Sequence, residues 1–346
     1  MDAVLLSENG SPRLVDRPRP EPGPGEVLVR ISRVGIDGTD HEVISGAHGG
    51  VDGSMVLGHE AVGAVAEPNG TDFEVGETVV PTVRRPPGDH NDYFRRGEPD
   101  MAPIDATVEC GIDGADGFMA EFAAVPSEYL LAIPEHLAPY GFLVEPLSIT
   151  AKALELAFAS RGPFTWDRDR ALVLGTGSLG LLTVPVLAEQ FEEVYCLGRR
   201  DRDDPAVELA REAGATYVDS RETPVEAVAE ARAPMDLVYE ATGHAPHAAG
   251  AISALAPNGV AALLGVPGDH TAEVELGRLH RELVVGNRAV VGSVNAGYSH
   301  FEQAVDWLDA MPESVRSAFT EHVYPIEAFE AALDSDVIKA AVELDP

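Results

Sequence analysis

The chain has 346 residues, 45% of them hydrophobic, with 58 acidic against 24 basic side chains and a formal net charge of −34. The length allows two domains with cores of their own, and the hydrophobic content excludes a disordered chain. The charge excludes polyanionic partners, nucleic acid and acidic membranes alike, because such a surface repels them. Two cysteines far apart in sequence, Cys110 and Cys196, speak against a disulfide framework and against a four-cysteine zinc site. No apolar run reaches membrane-spanning length, and "MDAVLLSENGSPRLVD" lacks the basic and apolar regions of a secretory signal. The acids are dispersed, as in "DRDDPAVELAREAGATYVDSRETPVEAVAEA", and Lys152 and Lys339 are the only lysines. Dispersed, strongly hydrated carboxylates with so little lysine point to a cytoplasm of high salt, where screening quiets their repulsion.

In chain order, the first part reads as β-rich. "GEVLVRISRVGI" alternates apolar and polar residues as a half-buried strand does, and "AVGAVAEPNGTDFEVGETVVPTV" breaks short Val-rich runs with Pro, Asn and Gly. From about residue 151 the pattern changes. Apolar strands ("ALVLG", "EVYCLG", "MDLVYEATG", "GVAALLG") alternate with helical segments ("DDPAVELAREAGA", "HAAGAISALA"), and "AVVGSVN" reads as the last strand. That βαβ series predicts an α/β fold with a doubly wound parallel sheet. "HFEQAVDWLDAM" follows with helical spacing.

"ALVLGTGSLGLLTVPVLAEQ" places Gly175, Gly177 and Gly180 as GxGxxG between a strand and a helix. The first glycine makes the turn, the second lets a pyrophosphate approach the backbone, and the third lets helix and strand pack closely. The bland alternative is a Gly-rich turn in a sheet that binds nothing. The strand, the helix and a second strand at the expected distance weigh against it. At the end of that second strand a carboxylate would accept from the ribose hydroxyls of NAD; here Gly198 is followed by Arg199 and Arg200. Two guanidiniums there suit a 2′-phosphate, hence NADP, with NAD as a second substrate.

A second constellation lies in the β-rich part. His59 and Glu60 stand in "VLGHEAVGAV", Glu145 in the apolar "FLVEPLSIT", where an unpaired carboxylate is costly, and Asp37 in "VGIDGTDHE". A catalytic Zn²⁺ takes three N or O donors and keeps a position open. For each residue alone a structural role is the better reading, and spacing does not bring 37, 59 and 145 together.

"GHEAVGAV", "GIDGTD" and "GTGSLG" resemble the zinc-dependent medium-chain dehydrogenase/reductase family over essentially the whole chain. A narrower resemblance, to the glucose 1-dehydrogenases of halophilic archaea, is carried by "DGTDHEVISGAHGG", "VLGHEAVG", "VVPTVRRPP", "DMAP", "GFLVEPLSIT", "YCLGRRDR", "YEATG", "ALAPNG" and "VGSVN". The resemblance implies a GroES-like catalytic domain over 1–150 and 294–346 and a Rossmann domain over 151–293. It implies Asp37 as a zinc ligand where most of the family has Cys, and His59 as the second. Glu145 is then the third ligand or binds zinc through water, and Glu60 enters or leaves the zinc shell. Thr39 matches the hydroxyl that contacts the reacting alcohol or relays its proton. Glu109 and Asn295, and Glu145 with them, match positions that bind sugar hydroxyls. Ser178, Leu179, Thr242 and Asn295 join the glycines and the Arg pair around the cofactor. One catalytic zinc per subunit is expected and no structural zinc, because "RRPPGDHNDYFRRGEPDMAPIDATVECG" holds only Cys110. His41 receives no role. Relatives assemble as dimers or tetramers through the Rossmann edge strand, which makes "AVVGSVN" the interface candidate. The implied activity is oxidation of β-D-glucose at C1 to the lactone. A polyol or alcohol dehydrogenase of the same fold, or a non-catalytic NADP-binding sensor, are the competing readings.

Overall fold

The computed structural model describes residues 1–7, 10–47, 49, 53–268 and 272–344. It contains two compact units, Met1–Ser148 with Asn295–Pro346, and Ile149–Val294.

The first unit is built on a seven-stranded sheet whose middle is the long strand Glu26–Ile36. Period-2 alternation sends Val27, Val29 and Ile31 to one face, where they are buried, and Leu28 on the other face is buried too. Arg30, on the same face as Leu28, is exposed, so a one-residue slip would turn its guanidinium toward the buried face and the register holds. Glu60–Glu67 pairs with it antiparallel on one side and Ala340–Glu343 on the other, with Phe122–Pro126 along its first half. Gly35 lies opposite Glu60 in one pairing and opposite Ala341 in the other. The last strand of the chain therefore lands beside residues near its beginning.

The second unit is a six-stranded, all-parallel sheet. In spatial order its strands are Ala215–Asp219, Glu193–Gly198, Arg170–Leu174, Met235–Glu240, Leu255–Leu263 and Ala289–Gly292, the 3-2-1-4-5-6 order of a doubly wound sheet. The inner strands are buried on both faces, which is why "ALVL" and "MDLVYE" read as continuous apolar runs. The switch point falls between Arg170–Leu174 and Met235–Glu240, where helices leave on opposite faces and open a crevice at the strands' carboxyl ends. "AVVG" is the edge strand. A β-rich unit and a doubly wound unit are the fold class expected from the sequence.

The helices Gly38–Ser45, Val144–Ala159 and Leu276–Gly286 went unread there. The apolar stretch around Glu145 opens a 16-residue helix, Val144–Ala159. Pro146 fits its first turn, where a missing N–H costs nothing. Among the described residues no helix is long and apolar enough to cross a membrane.

Candidate active site

In the second unit, Gly175 ends the first strand with φ +120, a backbone angle that side-chain-bearing residues rarely take. A Cβ on Gly180 would stand 2.3 Å from the Gly175 carbonyl oxygen, so the helix Ser178–Ala188 packs closely on the turn only because that position is bare. Gly177 caps the helix, and the amides of Ser178 and Leu179 lie in its first turn, the orphan donors that bind an anion. Across the switch point, Thr242 fits against the turn, its Cγ2 3.1 Å from where a Gly175 Cβ would be. Its amide donates to Glu240 Oε1 at 2.7 Å and its hydroxyl donates to the same oxygen.

The loop after Gly198 is laced with ion pairs. Arg221 holds Asp219 and Asp201, Arg202 holds Glu222, and Arg200 lies 3.4 Å from Asp204. The Arg200 carbonyl accepts from the Tyr217 hydroxyl at 2.7 Å and from Arg221 at 3.2 Å. Arg199 is exposed and has no such ion pair among the described residues. The structure thus separates two arginines that the sequence treats alike. An incoming phosphate meets Arg199 open, whereas at Arg200 it competes with Asp204.

In the first unit, Asp37 directly precedes the helix Gly38–Ser45 and caps it. Its Oδ1 accepts from the amides of Thr39 at 2.8 Å and Asp40 at 3.3 Å, and its Oδ2 from the Thr39 hydroxyl at 3.2 Å. Asp40 returns the bond to the Asp37 amide at 3.0 Å, closing a capping box. The cap fixes Asp37 Oδ1 at 3.6 Å from His59 Nε2, while the other ring nitrogen, Nδ1, lies 3.8 Å from Asp40 Oδ1. His59, Glu60 and Glu145 form a second group, and donor atoms within each group lie within 4.8 Å of one another. His59 is common to both groups, whereas Asp37 belongs only to the first and Glu145 only to the second.

Glu60 and Lys339 are buried at 1% and 2% exposure and form an ion pair over Gly35. A Cβ on Gly35 would stand 2.1 Å from Glu60 Oε2 and 2.9 Å from Lys339 Cε, so the bare position makes the room. Burial pushes Glu60 up to about 7 and Glu145 up to about 8, against the pull of Lys339 and His59. Burial likewise holds Asp40 up at about 6. On Asp37 burial acts upward too, but His59 outweighs it and holds that carboxyl well below the usual range. Burial would lower His59; Asp37, Asp40 and Glu145 outweigh it and hold the imidazole well above its ordinary value.

Four carboxylates therefore gather around one imidazole and one ammonium, Asp40, Glu60 and Glu145 buried and Asp37 partly exposed. Asp40 Oδ1, His59 Nδ1, Glu60 Oε2 and Lys339 Nζ have no well-formed hydrogen bond. Such a cluster is short of positive charge. A divalent ion on N and O donors supplies that charge, and the residues fit Zn²⁺ in type and number. Asp40 behind Nδ1 has the outer-shell position that fixes which ring nitrogen faces a metal.

Glu109 lies apart from this cluster. Its Oε1 accepts from Arg84 Nε at 2.8 Å and from Asn295 Nδ2 at 3.0 Å, all three residues being buried. Arg84 Nη1 also donates to the carbonyls of Asp100 and Ala102 at 3.0 and 3.2 Å. His41 is exposed on its helix and joins neither group.

Sequence reading missed Asp40, Lys339, Gly35 and Arg84. Lys339 carried a usable signal, being one of two lysines in the chain and set in the apolar "VIKAAVE". The others depend on strand pairing that the sequence does not display.

The alcohol dehydrogenase GroES-like domain family matches residues 23–135, and the glucose dehydrogenase C-terminus family matches 138–344. The glucose 1-dehydrogenase of Halobacterium salinarum is 55% identical over 354 residues, covering 100% of this chain and 99% of that protein. Glucose 1-dehydrogenase 1 of Haloterrigena turkmenica is 56% identical, covering 99% of each. The solved structure of Haloferax mediterranei glucose dehydrogenase in complex with NADP, Zn and gluconolactone superposes with a TM-score of 0.97 at 52% identity, covering 100% of both chains. A capped Asp37 facing His59, a bare glycine turn and matches spanning the chain lead to one conclusion: it belongs to the zinc-dependent medium-chain dehydrogenase/reductase family, in its glucose dehydrogenase branch.

Proposed function

We propose that the chain is a zinc-dependent glucose 1-dehydrogenase that oxidises β-D-glucose at C1 to glucono-1,5-lactone and prefers NADP to NAD. The observation that carries this reading is the buried, cation-deficient carboxylate cluster around His59, in a chain 55% identical end to end to a glucose 1-dehydrogenase. Asp37, His59 and Glu145 hold the zinc, with Glu60 able to exchange into the set. When bound, zinc favours the ionised C1 hydroxyl and NADP accepts the hydride.

The chain's own residues do the rest. Thr39 Oγ1 donates to Asp37 Oδ2, which leaves its lone pairs to accept from the C1 hydroxyl of the sugar. Lys339 pairs with Glu60 and opposes the rise that burial imposes on its carboxyl. Glu109, fixed by Arg84, and Asn295 bind sugar hydroxyls through the acceptor and donor capacity their mutual bond leaves over. That polar set disfavours a simple alcohol, which would leave buried polar groups unpaired. Arg199 and Arg200 hold the 2′-phosphate, and the glycine turn with Ser178, Leu179 and Thr242 holds the pyrophosphate side.

The enzyme works in a cytoplasm of high salt as a homodimer or homotetramer built through the edge strand Ala289–Gly292, where Val290 is 38% exposed. Initial rates in molar salt test the reading, with glucose, galactose, xylose and a simple alcohol, NAD and NADP, with and without a chelator. Glucose with NADP should be fastest and chelation should stop it. A chelator-insensitive rate, or a simple alcohol outpacing glucose, overturns the assignment.

A further inference from the structure

Gly198 is bare for a reason the sequence does not display. It does not take a left-handed backbone angle, so conformation alone does not demand a glycine. A Cβ on it would stand 2.6 Å from Thr176 Cγ2 and 2.7 Å from Thr176 Oγ1. Turning Thr176 about its first side-chain torsion does not relieve this. Of the three staggered positions two face Gly198, and the two heavy γ atoms always fill at least one of those. The Thr176 side chain thus lies in the space that a side chain at 198 would need.

The hydroxyl brought there is unused. Thr176 is 9% exposed, and its Oγ1 makes no hydrogen bond among the described residues. A threonine before a helix can cap it, but here Gly177 holds that position and Ser178–Ala188 has no side-chain cap bond. The backbone groups around it are engaged: the Gly175 amide donates to the Leu197 carbonyl at 2.9 Å, and the Gly198 carbonyl accepts from the Ser220 amide at 2.8 Å. The Gly175 carbonyl accepts from the Cys196 thiol at 3.6 Å. A nearly buried hydroxyl without a partner is costly unless a ligand completes it. Its oxygen is not wholly enclosed, so a ligand can reach it. The end of the second strand is where a doubly wound sheet reads the 2′ position of the adenosine ribose, ordinarily with an acid on that strand. Here the reading group comes from the glycine turn of the first strand.

We propose that Thr176 is a specificity-determining residue for the cofactor: it stands in the place of the side chain missing at 198 and donates its hydroxyl proton to the 2′-phosphate. The inference rests on the NADP reading and deepens it, adding a neutral donor to the two arginines. A phosphate oxygen accepts that proton in a charge-assisted bond, stronger than the neutral bond a ribose hydroxyl makes. The same bulk keeps a carboxylate from position 198, where it would accept from a ribose hydroxyl and repel a phosphate.

The test is equilibrium binding of NADPH and NADH to the zinc-loaded enzyme in molar salt, followed by nicotinamide fluorescence, with the melting temperature of each variant recorded without cofactor. Thr176→Val keeps the shape and removes the donor. It should weaken NADPH about tenfold and NADH less than about twofold, the size of one charge-assisted bond. Thr176→Ala also lacks the donor and should lose NADPH by the same factor, so the result does not hang on how Val packs. Thr176→Ser keeps the donor and should stay close to wild type. Gly198→Ala tests the placement. Alone it should lower the melting temperature and the affinity for both cofactors; in the Thr176→Ala background, where the clashing atoms are gone, both losses should shrink. Equal losses in the two backgrounds, or a Thr176→Val enzyme that binds the two cofactors with the wild-type ratio, overturn the proposal and leave the NADP reading standing. Wild-type enzyme that binds NADPH no tighter than NADH overturns both.

Discussion

The carboxylate cluster around His59 and the loop after Gly198 are opposite departures from the chain's average. The chain is acidic on its surface; the first site brings acid inside, and the second sets positive charge outside. At the first, three buried carboxylates and the partly exposed Asp37 stand with one imidazole and one ammonium, an arrangement that favours a further cation. At the second, every arginine but Arg199 has an acid beside it. In a chain with net charge −34, an acid on the surface says little about function. A buried acid or an unmatched cation says much more, because each is costly or rare in that composition.

The largest effect separates the two regions outright. Chelation should abolish turnover while leaving NADPH binding in place, because the first region depends on the metal and the second does not. Metal analysis should find one zinc per subunit, and restoring zinc should restore the rate. Two tightly held zincs, one surviving His59→Ala, would show a metal site that this account lacks.

Lowering the salt should act on the acidic surface rather than on either site. The Debye length grows from about 3 Å at 1 M to about 30 Å at 0.01 M, and self-repulsion grows with it. Melting temperatures should fall steadily as KCl is withdrawn, with zinc held saturating so that metal loss is not mistaken for repulsion. A melt indifferent to salt would contradict the salt reading.

Lys339→Met probes the first region alone. It leaves Glu60 buried without its counter-charge, a loss of about 3–5 kcal/mol in denaturant unfolding of the zinc-free protein. With zinc bound the loss should be smaller, because the metal offsets the same charge. Equal losses in both states would separate Lys339 from the metal cluster.

Arg199→Ala is the matching probe of the second region. It should cost about 1.5–3 kcal/mol of NADPH affinity and little of NADH affinity. Arg200→Ala should cost less, since Asp204 already draws on that guanidinium. The reverse ranking would show that the ion pair opens on binding.

The two regions also differ in how far the sequence revealed them. The glycine turn and the arginines after it are local: strand, turn and helix are contiguous, and period and glycine spacing name them together. Asp37, His59 and Glu145 are brought near one another only by the pairing of Glu26–Ile36 with Glu60–Glu67 and by a helix starting at Val144, and spacing is silent about both. There the resemblance supplied the grouping. Even so it omitted Asp40, whose carboxylate faces His59 Nδ1, and Lys339, which arrives with the chain's last strand. The local reading of the arginines treats Arg199 and Arg200 alike, because the ion pair to Asp204 exists only once the loop is folded.

The central claim is that Asp37 is a zinc ligand as well as a helix cap, and substitutions can part the two roles. Asn caps a helix as well as Asp does but is a poor zinc donor, while Cys binds zinc as a thiolate and caps poorly. The deciding measurement is zinc retained per subunit by wild type, Asp37→Asn and Asp37→Cys after dialysis against graded chelator in molar salt. The account predicts that Asp37→Asn keeps its fold but loses zinc and turnover, whereas Asp37→Cys keeps zinc. An Asp37→Asn enzyme that holds zinc as tightly as wild type would make Asp37 a cap and nothing more, and would contradict the account at its centre.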